Sequence, residues 1–365
     1  MLMQFVWFVV GLVLLVAGAE ALVRGASKIA LSFGVSPLVV GLTIVAYGTS
    51  APEMAVSVQG AVSGQVDLAI GNVVGSNIFN VLFILGASAL IAPLVVNAQL
   101  IRQEVPVMIG ASLLLWALAA DGRISGLDGV LLFGLVVAYT AFLVIQSRRE
   151  TKMTQQEYAD EVVPKGGWDR HWAVQVLLVA TGLGMLVLGS TLLVDAAIAI
   201  AREMGVSELV VGLTIVAAGT SLPEVATSLM ATIRGERDIA IGNVVGSNTF
   251  NILAVLGASS LVAREPLAVA PSVLAFDLPV MTAVAVACLP VFFTGRQIAR
   301  WEGVVFLGYY VAYTAYLILS AQHHDDLPLL SMTMLYFVVP LTLITLVVGL
   351  QREVGSGRRA RKTGT

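Results

Sequence analysis

Two acidic residues, Glu53 and Glu224, lie within otherwise apolar stretches of the chain and are the first candidates for chemistry. Each closes the same short pattern, a Gly-Thr-Ser segment followed by one variable residue and then Pro-Glu. The proline has no N–H for the preceding helical turn and the glycine adds backbone freedom, so a helix should break here and free carbonyl oxygens. Hydroxyl groups lie beside the break in both copies, on Thr49 and Ser50 and on Thr220 and Ser221.

A second polar set follows each acidic residue and repeats the pattern Gly-Asn-x-x-Gly-Ser-Asn-x-x-Asn. It comprises Asn72, Ser76, Asn77 and Asn80 in the first copy, and Asn243, Ser247, Asn248 and Asn251 in the second. Every polar group in both sets offers oxygen, and none is a thiol or an imidazole, which is the ligand chemistry of hard cations such as Ca²⁺ and Na⁺. Two carboxylates would balance one divalent ion, or several monovalent ions that compete for the same ligands.

The composition is that of a membrane protein. Hydrophobic residues make up 58% of the chain and charged residues 12%, against about 45–50% and about 25% in a soluble domain. Apolar runs of about 20 residues, enough to cross a bilayer, follow one another for most of the chain. The single cysteine, Cys288, excludes an internal disulfide and a cysteine cluster for zinc. We therefore predict an all-α polytopic membrane protein.

The two polar patterns belong to a longer internal repeat. Residues 41–80 and 212–251 align without a gap at an offset of 171. The predicted spans are 5–30, 37–62, 68–91, 104–121 and 126–147, then 172–201, 208–233, 239–262, 274–294 and 301–320, and finally 327–350. Because each copy holds an odd number of spans, the second should enter the membrane from the opposite side, which is the inverted repeat of secondary transporters.

The predicted domain organisation follows from the repeat and from the charges. It has a first five-helix repeat at 1–147, a cytoplasmic linker at 148–171, a second inverted five-helix repeat at 172–320, an extra transmembrane helix at 327–350 and a basic cytoplasmic tail at 351–365. With the N-terminus outside, all lysines and arginines except Arg123, Arg202 and Arg264 fall on the cytoplasmic side. This strong positive-inside bias predicts that the C-terminus is cytoplasmic.

Purely structural roles stay open for several of these residues. Glu53 could be an ion-pair partner, although no basic residue lies at its depth in the core segments. The asparagines could join helices by hydrogen bonds, and the glycine pairs could serve helix packing alone. Glu20 and Arg24, four residues apart, predict a local ion pair. The equivalent residues Glu104 and Asp277 predict helix starts near the membrane interface.

The doubled motifs closely resemble the α-repeats of the calcium/cation antiporter superfamily, and the match looks closest to prokaryotic sodium/calcium exchangers. The resemblance covers about residues 5 to 320. It implies a Ca²⁺ site at the carboxylates of Glu53 and Glu224 and the backbone carbonyls of Thr49 and Thr220. It implies two flanking Na⁺ sites, one at Ala46, Thr49, Ser76 and Ser221, and the other at Ala217, Thr220, Ser247 and Ser50. It also places Asn80 and Asn251 in the middle of the cluster.

The resemblance implies an antiporter of the inner or plasma membrane that exchanges Na⁺ for Ca²⁺ by alternating access. Asn251 replaces an aspartate of potassium-dependent relatives, which argues against K⁺ co-transport, and the hydroxyls of the Gly-Thr-Ser segment favour Na⁺ coupling. A Ca²⁺/H⁺ or other divalent exchanger is the alternative, and a cation channel is a weaker one. An enzyme would need a nucleophile and a base, and the core has neither histidine nor cysteine. We expect the ions and the lipid bilayer as partners, with no cofactor and no nucleic acid.

Overall fold

The computed structural model of the protein describes residues 2–33, 35–147, 171–204 and 217–345, together with 347 and 351. Nearly all of the predicted basic tail and of the predicted linker lie outside these residues, and so does the first part of the predicted 208–233 span. The described chain is helical almost throughout. The all-α prediction is therefore confirmed.

The helices are numbered in chain order. They are α1 (Leu2–Phe33), α2 (Pro37–Thr49), α3 (Ala51–Val62), α4 (Val66–Ile91), α5 (Leu100–Asp121), α6 (Gly126–Ser147), α7 (Trp172–Glu203), α8 (Ala217–Gly219), α9 (Leu222–Ile233), α10 (Arg237–Val262), α11 (Val273–Arg296), α12 (Arg300–Ala321) and α13 (Leu327–Thr345). Within the described residues, nine helices are long and apolar enough to cross a membrane, or ten if the bent pair α2 and α3 is one span.

Two short antiparallel strand pairs join distant parts of the chain. Strand β1 (Leu94–Val95) pairs with β4 (Gln297–Ile298), and β2 (Arg123–Ile124) pairs with β3 (Leu267–Ala268). Leu94 lies opposite Ile298, and Ile124 lies opposite Leu267. Each pair therefore ties a connection of the first half of the chain to one of the second half.

The helix breaks where the sequence predicts it to break. Helices α2 and α3 meet at Ser50 with a bend of 46°. Pro52 lies in the first turn of α3, where its missing N–H costs no hydrogen bond. Ser221, which precedes α9, adopts nearly the same backbone angles as Ser50, with φ −88° and ψ 6° against φ −81° and ψ 11°. The same local sequence thus gives the same break in both copies.

Helices α1 and α7 form a tightly packed pair. A Cβ added at Gly11 would lie 2.8 Å from the carbonyl oxygen of Gly189, and one added at Gly18 would lie 2.9 Å from that of Gly182. Only glycine permits such a close approach of two backbones. Helix α10, in contrast, is buried along nearly its whole length in the middle of the bundle, and α13 lies exposed at its edge.

A candidate cation site between the two halves

Glu53 and Glu224 lie in the first turns of α3 and α9, directly after the two breaks, and both are fully buried. The two carboxyl groups are close enough to interact electrostatically. Two like charges without solvent are costly to hold together unless something compensates them. Within the described residues no third His, Cys, Asp or Glu side chain joins them in a cluster.

Serine hydroxyls from the opposite half hold each carboxylate. The Ser50 hydroxyl donates to Glu224 Oε1 at 2.9 Å, and the Ser221 hydroxyl donates to Glu53 Oε1 at 2.9 Å. Ser221 Oγ also lies 3.1 Å from Ser76 Oγ. Ser50 and Ser221 each lie three residues before the glutamate of their own half. Each break therefore carries a carboxylate and a hydroxyl, and the hydroxyl binds the carboxylate of the other half.

Asparagines at the start of the second polar set cross the boundary in the same way. The Thr49 hydroxyl donates to Asn243 Oδ1 at 3.1 Å, and the Thr220 hydroxyl donates to Asn72 Oδ1 at 3.1 Å. The amide of Asn72 donates back to Ser57 Oγ at 2.9 Å. The amide of Asn243 donates likewise to Ser228 Oγ at 2.9 Å. Each asparagine therefore connects the break of the other half to a serine of its own half.

Four more asparagines form a reciprocal network between α4 and α10. The amide of Asn77 donates to the Asn248 carbonyl at 3.2 Å, and that of Asn248 donates to the Asn77 carbonyl at 3.1 Å. The side-chain oxygen of Asn248 accepts from the Asn80 amide at 3.0 Å, and that of Asn77 accepts from the Asn251 amide at 3.2 Å. The network thereby fixes which end of each amide is oxygen. A π-helical turn begins at Asn80 and another at Asn251.

Four buried oxygens in this region accept no hydrogen bond from any described residue. They are Oε2 of Glu53, Oε2 of Glu224, Oδ1 of Asn80 and Oδ1 of Asn251. Buried acceptors without a partner are rare in proteins, because each loses its hydration without compensation. All four are acceptors and two belong to carboxylates, so a cation would satisfy them and a hydrogen-bonded neutral molecule would be a poorer match.

The remaining predicted ligands lie around this cluster. Ser76, Ser247, Ala46 and Thr49 are buried, and Thr220 is half-buried. The Ala46 carbonyl oxygen lies 3.3 Å from Thr49 Oγ1 and 3.5 Å from Ser247 Oγ. Ala217 begins the short helix α8, directly before the second break. In the structure Ser247 lies near Ala46, and Ser76 lies near Ser221.

Sequence reasoning gave too little weight to three pairs of residues. Asn72, Asn77, Asn243 and Asn248 belong to the predicted second polar set but are not among the predicted ion ligands. Ser57 and Ser228 were not considered. Each serine lies four residues after its glutamate, on the same helical face, and this spacing in both copies was the available signal.

Two further features lie outside the cluster. Glu104, predicted to mark a helix start at the interface, is instead fully buried within α5 and accepts hydrogen bonds from Tyr139, Gln99 and Gln103. A cavity of about 750 Å³ lies at the periphery, where α13 meets α11 and α12, and its lining is mainly apolar and aromatic. None of the predicted ion ligands reaches this cavity, so it is not a candidate ion site.

Comparisons with known proteins agree with this geometry. The sequence pattern of the family described as sodium/calcium exchanger protein matches residues 3–145 and 174–319. The chain is 34% identical over 341 residues to the sodium/calcium exchanger MaX1 of Methanosarcina acetivorans, a match covering 85% of this chain and 97% of the relative. It is 36% identical over 318 residues to the inner membrane protein YrbG of Escherichia coli, covering 87% and 97%.

Solved structures of the sodium-calcium exchanger NCX_Mj share the fold. For the crystal soaked without Na⁺ and Ca²⁺, the TM-score is 0.74 at 31% identity, over 87% of this chain and 99% of the other. For the crystal soaked with 2.5 mM Na⁺ and 0.1 mM Ca²⁺, the TM-score is 0.73 at 31% identity, over 86% and 98%. Nine or ten membrane-length helices lie in the described part of the chain, and with these matches the chain belongs to the sodium/calcium exchanger protein family, whose members are multi-pass membrane antiporters and not enzymes.

Proposed function

We propose that this antiporter exchanges Na⁺ for Ca²⁺ across the cell membrane by alternating access. The observation that carries the proposal is the set of four partnerless oxygens on Glu53, Glu224, Asn80 and Asn251. Each carboxylate uses Oε1 to accept a serine hydroxyl and leaves Oε2 free. One Ca²⁺ between the two free oxygens would neutralise both charges and take up both unsatisfied acceptors.

Charge balance explains how Na⁺ would compete with Ca²⁺. The two carboxylates compensate two positive charges, whether these come as one divalent ion or as separate monovalent ions. We assign Na⁺ to flanking positions at the Ala46 and Ala217 carbonyls, with hydroxyl ligands from Ser76, Ser247, Ser50 and Ser221. A hydroxyl retains lone pairs and can rotate its proton, so these serines can donate to a carboxylate in one state and ligate Na⁺ in another.

The paired contacts support an inverted repeat. Most bonds in the cluster have a counterpart in which both partners are shifted by 171 residues, as with Ser50–Glu224 and Ser221–Glu53. The strand pairs β1–β4 and β2–β3 also correspond, at slightly larger offsets of 173 (Leu94 to Leu267) and 174 (Ile124 to Ile298). We therefore infer two oppositely oriented five-helix halves, at 1–147 and 172–320, with α13 as an addition and with the N-terminus outside. In such transporters the substrate lies at the interface between the repeats.

The decisive experiment is ⁴⁵Ca²⁺ uptake into proteoliposomes that contain the purified protein. An outward Na⁺ gradient should drive uptake, and replacing Na⁺ by choline should abolish it. Uptake that persists in choline and follows a pH gradient would overturn Na⁺ coupling in favour of a proton exchanger. Ca²⁺ conductance without any counter-ion would overturn exchange altogether.

A further inference from the structure

An ion pair joins the first helix to the turn that follows α9. Arg234 is the residue directly after α9 ends at Ile233. Its Nε donates to Glu20 Oε2 at 2.8 Å, and its Nη2 contacts Glu20 Oε1. The guanidinium therefore binds the carboxylate with two parallel bonds, which is the most directional form of an ion pair. Glu20 lies in the middle of α1, so the bond ties that helix to the α9–α10 turn.

The other half of the chain has no ionic equivalent of this bond. At the offset of 171, the positions that match Glu20 and Arg234 are Thr191 and Ser63. The Thr191 hydroxyl donates to Val187 O at 3.0 Å, and the Ser63 hydroxyl donates to Gln59 O at 2.8 Å. Both bonds stay within a single helix. The cross-link is therefore present in one half and replaced by neutral local bonds in the other.

Helix packing also differs between the two halves of the chain. One face of α9, with Leu222, Ala226 and Met230, packs against the apolar side of α1. The equivalent face of α3 carries Ala51, Ala55 and Gln59, and all three are exposed. In the described residues α7 makes no packing with α3 comparable to that of α1 with α9. If the two halves exchange conformations during transport, α7 packs against α3 in the alternative state. Helix α1 must then separate from α9.

We propose that Glu20 and Arg234 form a one-sided ionic latch, which favours the conformation with α9 covered and α3 open. The inference rests on the proposed alternating access. An interaction shifts a two-state equilibrium only if it is present in one state and absent in the other. The latch meets this condition, because moving α1 off α9 separates Glu20 from Arg234, and the opposite conformation gains no ion pair in return.

The α1–α7 pair itself supplies a matched control. Gln4 Nε2 donates to Glu203 Oε1 at 3.1 Å. This exposed bond lies within the tightly packed α1–α7 pair and does not cross to α9. Like the latch, the Gln4–Glu203 bond is exposed and joins residues far apart in the chain. Removing it should leave the populations of the two conformations unchanged.

The test labels single cysteines with a maleimide in lipid nanodiscs, where both membrane faces are accessible. Ala55→Cys reports on the open face of α3 and Ala226→Cys on the covered face of α9, while the native Cys288 is fully buried. Glu20→Gln and Arg234→Gln should each speed labelling of Ala226→Cys by about two- to fivefold, as expected for an exposed ion pair. Each should also slow labelling of Ala55→Cys. The double variant should change no more than either single variant, because the two residues act as one pair.

Unchanged labelling in Glu20→Gln and Arg234→Gln, with both proteins monodisperse and of wild-type thermal stability, would overturn the latch. An equal change in Gln4→Ala would overturn it too. A general loss of structure would speed labelling at both reporters, so the opposite changes at Ala55→Cys and Ala226→Cys are specific. Labelling does not depend on ion exchange: if wild-type protein fails the ⁴⁵Ca²⁺ assay, the proposed function fails, whereas normal exchange with unchanged labelling defeats the latch alone.

Discussion

The Ser50 hydroxyl donates to Glu224 at 2.9 Å, so a residue of the first half of the chain holds a carboxylate of the second. Ser221 does the same for Glu53. Neither half therefore contains a complete site. Movement of one half relative to the other would change the donors around both carboxylates at once, which gives a direct physical route from helix motion to ion affinity.

Replacing Glu53 or Glu224 by glutamine should abolish Ca²⁺ transport. Glutamine keeps an oxygen that can accept the serine hydroxyl, but one of the two charges that balance Ca²⁺ is lost. We expect ⁴⁵Ca²⁺ uptake at the level of empty liposomes, with normal insertion and elution from a sizing column. Glu265→Gln, at an exposed carboxylate, is the control and should transport normally. Ca²⁺ exchange at the wild-type rate in either site variant would contradict the assignment.

Removing one serine hydroxyl should change the apparent affinity for Na⁺ more than the apparent affinity for Ca²⁺. Ser76→Ala or Ser247→Ala deletes a ligand that we assign to Na⁺, while both carboxylates remain. The Na⁺ concentration for half-maximal exchange should rise several-fold, and the Ca²⁺ concentration for half-maximal exchange should change less. Ser63→Ala removes an exposed hydroxyl that bonds within its own helix and should change neither. An equal loss of apparent affinity for both ions would refute this division of ligands.

Local sequence was enough to predict the breaks and the acidic pair. Pro52, with the glycine four residues before it, restricts the backbone within one helical turn, and the pattern recurs unchanged before Glu224. These are short-range constraints, which can be inferred without knowing any tertiary contact. The oxygen-only ligand chemistry also follows from residue types alone.

Contacts between distant helices could not be predicted in the same way. The asparagines at 77 and 248 were visible in the sequence, but their partner choice depends on how α4 lies beside α10. Glu20 was expected to pair with Arg24 one turn away, and the structure gives it Arg234 as a partner across 214 positions of the chain. Sequence shows which groups need partners, and packing decides which partners are in reach.

Close helix packing beside the site predicts that alanine substitutions at two equivalent glycines, Gly75 and Gly246, change the stability of the protein differently. A Cβ at Gly246 would lie 2.7 Å from Leu42 O and 2.8 Å from Ala46 Cβ, whereas no described atom lies within 4 Å of one at Gly75. Gly246→Ala should therefore lower the free energy of unfolding by about 1–3 kcal/mol. Gly75→Ala should leave it unchanged or raise it slightly, since alanine favours helix. Thermal melts in detergent compare them, and equal melting temperatures would contradict the packing.

The turn between α9 and α10 predicts a pH effect on stability. Burial is the main cause that raises the pKa of Glu236, which precedes α10. A raised carboxyl pKa means that the folded state binds this proton more tightly than the unfolded state. Its favourable contribution is complete below the ordinary glutamate pKa of about 4.3, and it is lost as pH rises through the raised value. Glu236→Gln should therefore be more stable than wild type at neutral pH, and the advantage should shrink as the pH falls. Melting temperatures of the two proteins across this range measure the difference; an advantage that grows on acidification would show that the carboxylate is stabilised in its charged form.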